Sequence, residues 1–195
     1  MKKLFALTLA IFMLLTMVAC SMESTKGTKD TKDENLIEEA IEDATGLLKK
    51  VWNGIDEDNR FFAYGGDAAN MVDGEPGAYD LSDAESAKAQ LVLSDEAAEM
   101  VDSASTLFHA MNANTFTAVS YKLKDGADRK DFAKKMEDAI KNNQWICGFP
   151  EKLVIAHVAD DYTIVAFGAG EIMDNFKKSL TTSYSSAEIV TETSL

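Results

Sequence analysis

Two cysteines, two histidines and 33 carboxylates are the side chains from which any reaction chemistry in this chain would have to be built. Cys147, in Trp145-Ile146-Cys147-Gly148-Phe149-Pro150, would act as a nucleophile only with a histidine as its base. His109 follows Phe108 in a segment with helical spacing, and His157 alternates within a strand, so both read as structural. Cys147 itself reads as a buried, inert small hydrophobe before a strand. Neither histidine sits in a His-Glu-x-x-His or related metal spacing. No serine lies in a Gly-x-Ser-x-Gly elbow, and no glycine-rich run matches a phosphate-binding loop or a dinucleotide fingerprint. No catalytic residue is expected.

The carboxylates raise a different chemistry. Asp56, Asp58, Asp67, Asp73 and Glu75 fall in one segment, Asn53 to Asp83, and hard oxygen ligands suit calcium. The spacing departs from an EF-hand loop, because Asp56-x-Asp58 is followed by Arg60 and no glutamate closes a twelve-residue frame. No metal and no cofactor are therefore expected. A carboxylate pair of the glycosidase kind cannot be singled out among 33 acids without geometry. The Gly65-Gly66-Asp67 triplet lacks the acidic and aromatic residues that follow it in nucleotide cyclases, Ala68 and Ala69 standing there instead.

That same segment carries five glycines, Pro76 and three closely spaced aromatics. Long irregular connections are uncommon in compact domains and are often functional, while aromatics bury large areas. A ligand-facing loop is expected here, formed by Phe61, Phe62, Tyr64, Asp67, Asp73 and Glu75 within a surface running from Asp56 to Asp80.

Charge is unevenly spread. The net charge is -14; residues 34–102 hold 18 acids against 4 bases, and residues 103–195 hold 12 against 10. Nucleic acid is excluded as a partner, since phosphate binding needs clustered Lys and Arg. The acidic face keeps the protein soluble and is a second candidate contact surface.

The elements that must position these residues follow from periodicity. From Glu34 to Trp52, apolar residues recur at helical spacing, with early acids and late Lys49-Lys50 complementing the helix dipole. Ser82 and Ser94 cap two further expected helices, the second running from Ser94 to Met111. Residues 115–126 alternate as a strand ending at Asp125-Gly126, and 127–143 form an amphipathic helix. Two strands, 152–158 and 162–167, flank a tight turn near Asp160-Asp161, and a helix containing Ile172, Met173, Phe176 and Leu180 follows. The fold class is α+β: an antiparallel sheet of about three or more strands with helices on one face, in strand-helix-hairpin-helix order, preceded by helices. Residues 34–102 form an acidic helical and loop region, 103–182 the α+β domain, and 183–195 a loose tail or short edge strand.

At the N-terminus, Lys2-Lys3 precede an uncharged run from Leu4 to Ala19, too short for a comfortable membrane span of about 20 residues and shaped like a secretory signal. Met17-Val18-Ala19-Cys20 resembles a bacterial lipobox. The resemblance implies that residues 1–19 are a signal peptide and that Cys20 becomes the acylated first residue of the mature chain, with covalent diacylglycerol. Two acyl chains give stable attachment where a single short chain gives only reversible binding. Residues 20–33 are low in apolar side chains and alternate Lys with Asp, as a disordered tether does. With Cys20 acylated, Cys147 has no internal disulfide partner.

The lipobox and tether, the strand Ala118 to Gly126, the lysine-rich helix, the loop with Pro150 and the hairpin before Glu171 together resemble a family of small Gram-positive lipoproteins of unknown function. The resemblance spans about residues 103–180; it implies location and fold and transfers no catalytic residue. The expected function is a lipid-anchored, extracytoplasmic binding or interaction module at the cell membrane, not an enzyme. Its partners are the lipid membrane through Cys20 and a cell-envelope protein or ligand. The alternative is an envelope hydrolase using carboxylates or a calcium-assisted site. The classes part on one feature: an enzyme converges acids of perturbed pKa in a cleft, and a binding module exposes an apolar or aromatic patch.

Overall fold

The computed structural model describes residues 41–111 and 115–195. The expected signal peptide, the tether, Cys20 and the first part of the Glu34 to Trp52 helix lie outside the described residues.

Helix α1 is Ala44–Asn53, and the Asp43 carboxylate caps it by accepting from the Gly46 amide at 2.7 Å. Three short strands follow, β1 (Ala63–Gly65), β2 (Val72–Asp73) and β3 (Gly77–Tyr79). Next come α2 (Ala84–Leu91), α3 (Asp95–Ala98), β4 (Val101–His109), β5 (Phe116–Leu123) and α4 (Arg129–Lys141). The hairpin β6 (Lys152–Val158) and β7 (Tyr162–Gly168), helix α5 (Gly170–Ser183) and strand β8 (Glu188–Ser194) complete the fold. Asp83, not Ser82, caps α2, its carboxylate accepting from the Ser86 amide at 3.1 Å.

All eight strands join one antiparallel sheet in the order β2-β1-β4-β5-β7-β6-β8, with β3 pairing β4 beside β1. The sheet is larger than the three or so strands expected from the sequence. It also carries helices on both faces instead of one. Strands β5, β6 and β7 are buried along almost their whole length, so each face needs a cover. On one face α1 and α5 enclose Leu47, Leu48, Val51, Trp52, Phe116, Val154, Ile164 and Phe176. On the other, α2, α3 and α4 enclose Leu91, Ala97, Tyr121, Phe132, Met136, Ile155 and Phe167.

The helix expected from Ser94 to Met111 is the main correction. Ser94 does cap a helix, its hydroxyl accepting from the Ala97 amide at 3.2 Å, but that helix ends at Ala98 and β4 takes over. Residues Ala104 to Phe108 are all buried. A strand covered on both faces shows an apolar run without alternation, and the irregularity between Val101 and Ser103 shifts its phase. The tail is β8, an edge strand whose Ile189, Thr191 and Thr193 turn inward while Glu188 and Glu192 face solvent. Glu38–Leu195 cluster as one compact unit, and residues 102 and 103, the expected division between regions, both lie inside β4.

Candidate functional site

The loop expected to face a ligand is largely taken up by the fold. Phe61 stands in an aromatic cluster, edge-on to Trp52 at 5.0 Å and to Phe116 at 5.2 Å, and stacked on His109 at 4.6 Å. Tyr64 points to the other face, against Phe108 at 5.1 Å. Glu75 pairs with Lys49 at 3.0 Å, and the Trp52 indole donates to the Gly74 carbonyl at 3.0 Å, so α1 is tied to the turn between β2 and β3. Asp73 is exposed on β2 opposite Tyr64. Of the three aromatics in this loop, Phe62, 80% exposed, is the one that presents its ring to solvent.

Asp67 organises the turn after β1. Its carboxylate accepts from the amides of Ala69 at 2.8 Å, Asn70 at 3.0 Å and Asp80 at 3.0 Å. The Asp80 amide and then the Asn70 side chain lower its pKa to about 2. Asp83 is also held below the usual carboxylate range, by the Ser86 amide and hydroxyl. Both stay ionised at neutral pH, the opposite of what a general acid requires.

The histidines are engaged elsewhere. His157 is 2% exposed, its Nδ1 lies 3.1 Å from the Thr163 hydroxyl, and burial lowers its pKa. His109 Nδ1 accepts from the Met111 amide at 3.0 Å, and burial lowers its pKa too. Cys147 is exposed, not buried as its apolar neighbours suggested. Trp145 turns inward against Phe167 at 5.4 Å and Pro150 is buried, while Gly148, at φ +72°, reverses the chain between them. Ile146, Cys147 and Phe149 are left facing solvent.

This loop belongs to a larger feature. Ala63 lies opposite His109, Phe116 opposite Gly168, and Lys152 opposite both Gly168 and Ser194, and these positions define one end of the sheet. Seven large apolar side chains are exposed among the described residues, and five of them flank this end. Phe62 precedes β1, Met111 follows β4, Ile146 and Phe149 precede β6, and Leu195 follows β8. Ile146 is 90% and Phe149 71% exposed. Beside them, Ile140, Trp145, Phe149, Pro150 and Leu195 line an open cavity of about 420 Å³. Scattered exposed apolar residues need no explanation, but these concentrate at one end of the sheet in two groups, Phe62 and Met111 by β1 and β4, and Ile146, Phe149 and Leu195 by β6 and β8, with β5 and β7 between them. Sequence reasoning missed four of these five, naming only Phe62. The available signal was apolar residues packed into Trp145 to Pro150, a segment with neither helical nor strand spacing.

Among the described residues, no helix is long and apolar enough to cross a membrane, and no group of His, Cys, Asp or Glu is placed to hold a metal ion. Comparison with protein-family models, curated proteins and solved structures returned no match.

Proposed function

We propose that this protein is a non-catalytic interaction module, anchored outside the cytoplasm through a diacylated Cys20, that engages a cell-envelope protein with the apolar end of its sheet. The anchor rests on the lipobox-like Met17 to Cys20 stretch and the polar segment after it. The contact surface rests on one observation: Phe62, Met111, Ile146, Phe149 and Leu195, from three connections and the position after β8, are all exposed at one end of the sheet. Burying Ile146 and Phe149 in a partner contributes about 1.5 to 3 kcal/mol each, the size of an interface hot spot. Membership in the small Gram-positive lipoprotein family belongs to the same proposal and carries the location.

Chemical cross-linking in intact cells of the native host tests the reading. Wild-type protein is expected to yield a discrete heteromeric species that an Ile146→Ser/Phe149→Ser variant loses while remaining folded. Equal cross-linking by both would place the contact elsewhere.

A further inference from the structure

The exposed apolar residues beside β8 adjoin a second feature, the outer edge of that strand. β8 ends the sheet, and among the described residues β6 is its one strand neighbour. The Leu195 amide donates to the Glu151 carbonyl at 3.0 Å, while Thr193 and Thr191 stand opposite Leu153 and Ile155. Alternate residues of an antiparallel pair turn their backbone groups to the same side. Thr193 and Thr191, in phase with Leu195, therefore direct amide and carbonyl to β6, and Ser194 and Glu192 direct theirs away from the sheet. The register irregularity between Ile155 and Ala156 lies before Thr191, so this part of the edge is regular. Unpaired backbone groups in such a row are a template for a further strand.

The side chains along the edge say what kind of strand fits. Val190 is exposed on β8 itself, and Leu195, Phe149 and Ile146 are exposed at its end. Four of the seven exposed large apolar residues among those described thus lie on or beside this one strand. Trp145, Phe149, Thr193 and Leu195 line the open cavity of about 420 Å³ there, which is room for an apolar side chain. At the other end of β8, exposed Glu188 has no ion-pair partner among the described residues, whereas Glu192 pairs with Lys177 of α5.

A second copy of β8 does not fit this edge. Paired antiparallel about Val190, Glu188 of each copy would stand directly opposite Glu192 of the other. Moving the centre by one residue leaves carboxylates diagonal to one another, within reach across the pair. Like charges so placed destabilise a strand pair, and opposite charges stabilise it.

We propose that β8 accepts an additional strand from its partner: an extended segment of a cell-envelope protein, about seven residues long, that pairs antiparallel along β8, sets an apolar side chain in the cavity beside Trp145 and Phe149, and brings a lysine or arginine to Glu188. This inference rests on the apolar end being the contact surface, and it specifies how the partner engages the part of that surface beside β8. Main-chain hydrogen bonds to Glu192 and Ser194 supply affinity, and the cavity and Glu188 supply selectivity.

The test is photo-cross-linking in living cells of the native host, with the photoreactive residue placed at position 190 on β8 or at position 149 in the loop. Strand addition predicts the same heteromeric adduct from both positions. Glu192→Pro removes an outward amide without removing a bond to β6, a placement that edge strands tolerate, and should abolish the adduct from position 149. Glu192→Gln keeps that amide and should retain the adduct. Glu188→Lys should lower its yield about fivefold. An adduct from position 149 with none from position 190, or one that survives Glu192→Pro in folded protein, would overturn strand addition and leave the apolar contact standing. The position 190 result decides even where Glu192→Pro fails to fold. Absence of an adduct from both positions would overturn strand addition together with the contact surface on which it rests.

Discussion

The Phe61 ring lies flat on the His109 imidazole, with ring centroids 4.6 Å apart and planes 10° apart. This stack fastens the segment before β1 to the end of β4, and Trp52 and Phe116 close the cluster edge-on. Phe61→Ala is expected to cost about 3 kcal/mol through lost burial and the cavity left behind. Phe62→Ala, next in the chain and 80% exposed, should stay within about 0.5 kcal/mol of wild type. Urea-unfolding midpoints of the two variants check the contrast. Equal losses would contradict the assignment of Phe61 to the core and Phe62 to solvent.

Acid should loosen the fold through His157. Burial is the largest cause of its lowered pKa, with Arg129 adding to it and Glu188 opposing. Because the folded value lies below the unfolded one, the unfolded chain takes up the proton first as pH falls. The stabilisation is therefore present above the ordinary histidine pKa of about 6.5 and is lost below it. The urea midpoint is expected to drop from about pH 7.5 to about pH 5, and His157→Gln should flatten that drop. His109 shifts in the same direction and sustains part of the slope. An identical slope in His157→Gln would remove His157 from the account.

Glycines divide by what surrounds them. In α1, a Cβ on exposed Gly46 would meet, among the described residues, only the Asp43 carboxylate, at 3.6 Å, so their packing does not require glycine there. Gly46→Ala should stabilise the protein by about 0.5 to 1 kcal/mol. At Gly65 an added Cβ would collide with the backbone nitrogen of Gly77 and lie 2.5 Å from the Thr106 carbonyl oxygen. Gly65→Ala forces β1 and β3 apart and should destabilise by about 1 to 3 kcal/mol. Thermal unfolding of the pair distinguishes these opposite signs.

The anchor makes a mass prediction. Protein extracted from membranes of the native host should begin at Cys20 and carry diacylglycerol, and Cys20→Ala should lose both features. A mass matching an unmodified chain would remove the lipid anchor and leave Cys20, where retained, free to pair with exposed Cys147.

Elements with a single clear period were legible in the sequence. The helix with Phe132, Ala133, Met136 and Ile140 on one face is α4, and the alternating segments around Asp160-Asp161 are β6 and β7. Helix α5 and strand β5 follow the same logic. β4 was not legible, because two-sided burial removes alternation and its apolar residues happen to recur at three and four. Nor were β1, β2 and β3, which have three, two and three residues, too few to show any period. Of the site, the sequence placed Phe61, Phe62, Tyr64 and Asp67 in one candidate loop without separating the exposed Phe62 ring from the packed Phe61 and Tyr64. It could not place Phe61 under α1 or gather Met111, Ile146, Phe149 and Leu195 at one end, because those facts arise from the sheet's strand order.

The most direct test of the account is site-specific photo-cross-linking from position 149 in living cells of the native host, with a control at exposed Asp125. Asp125 lies in the turn after β5, at the opposite end of the sheet. The account predicts a discrete adduct with an envelope protein from position 149, lost on adding Ile146→Ser, and none from position 125. Equal adducts from both positions, or none from 149, would contradict the apolar end as the contact surface.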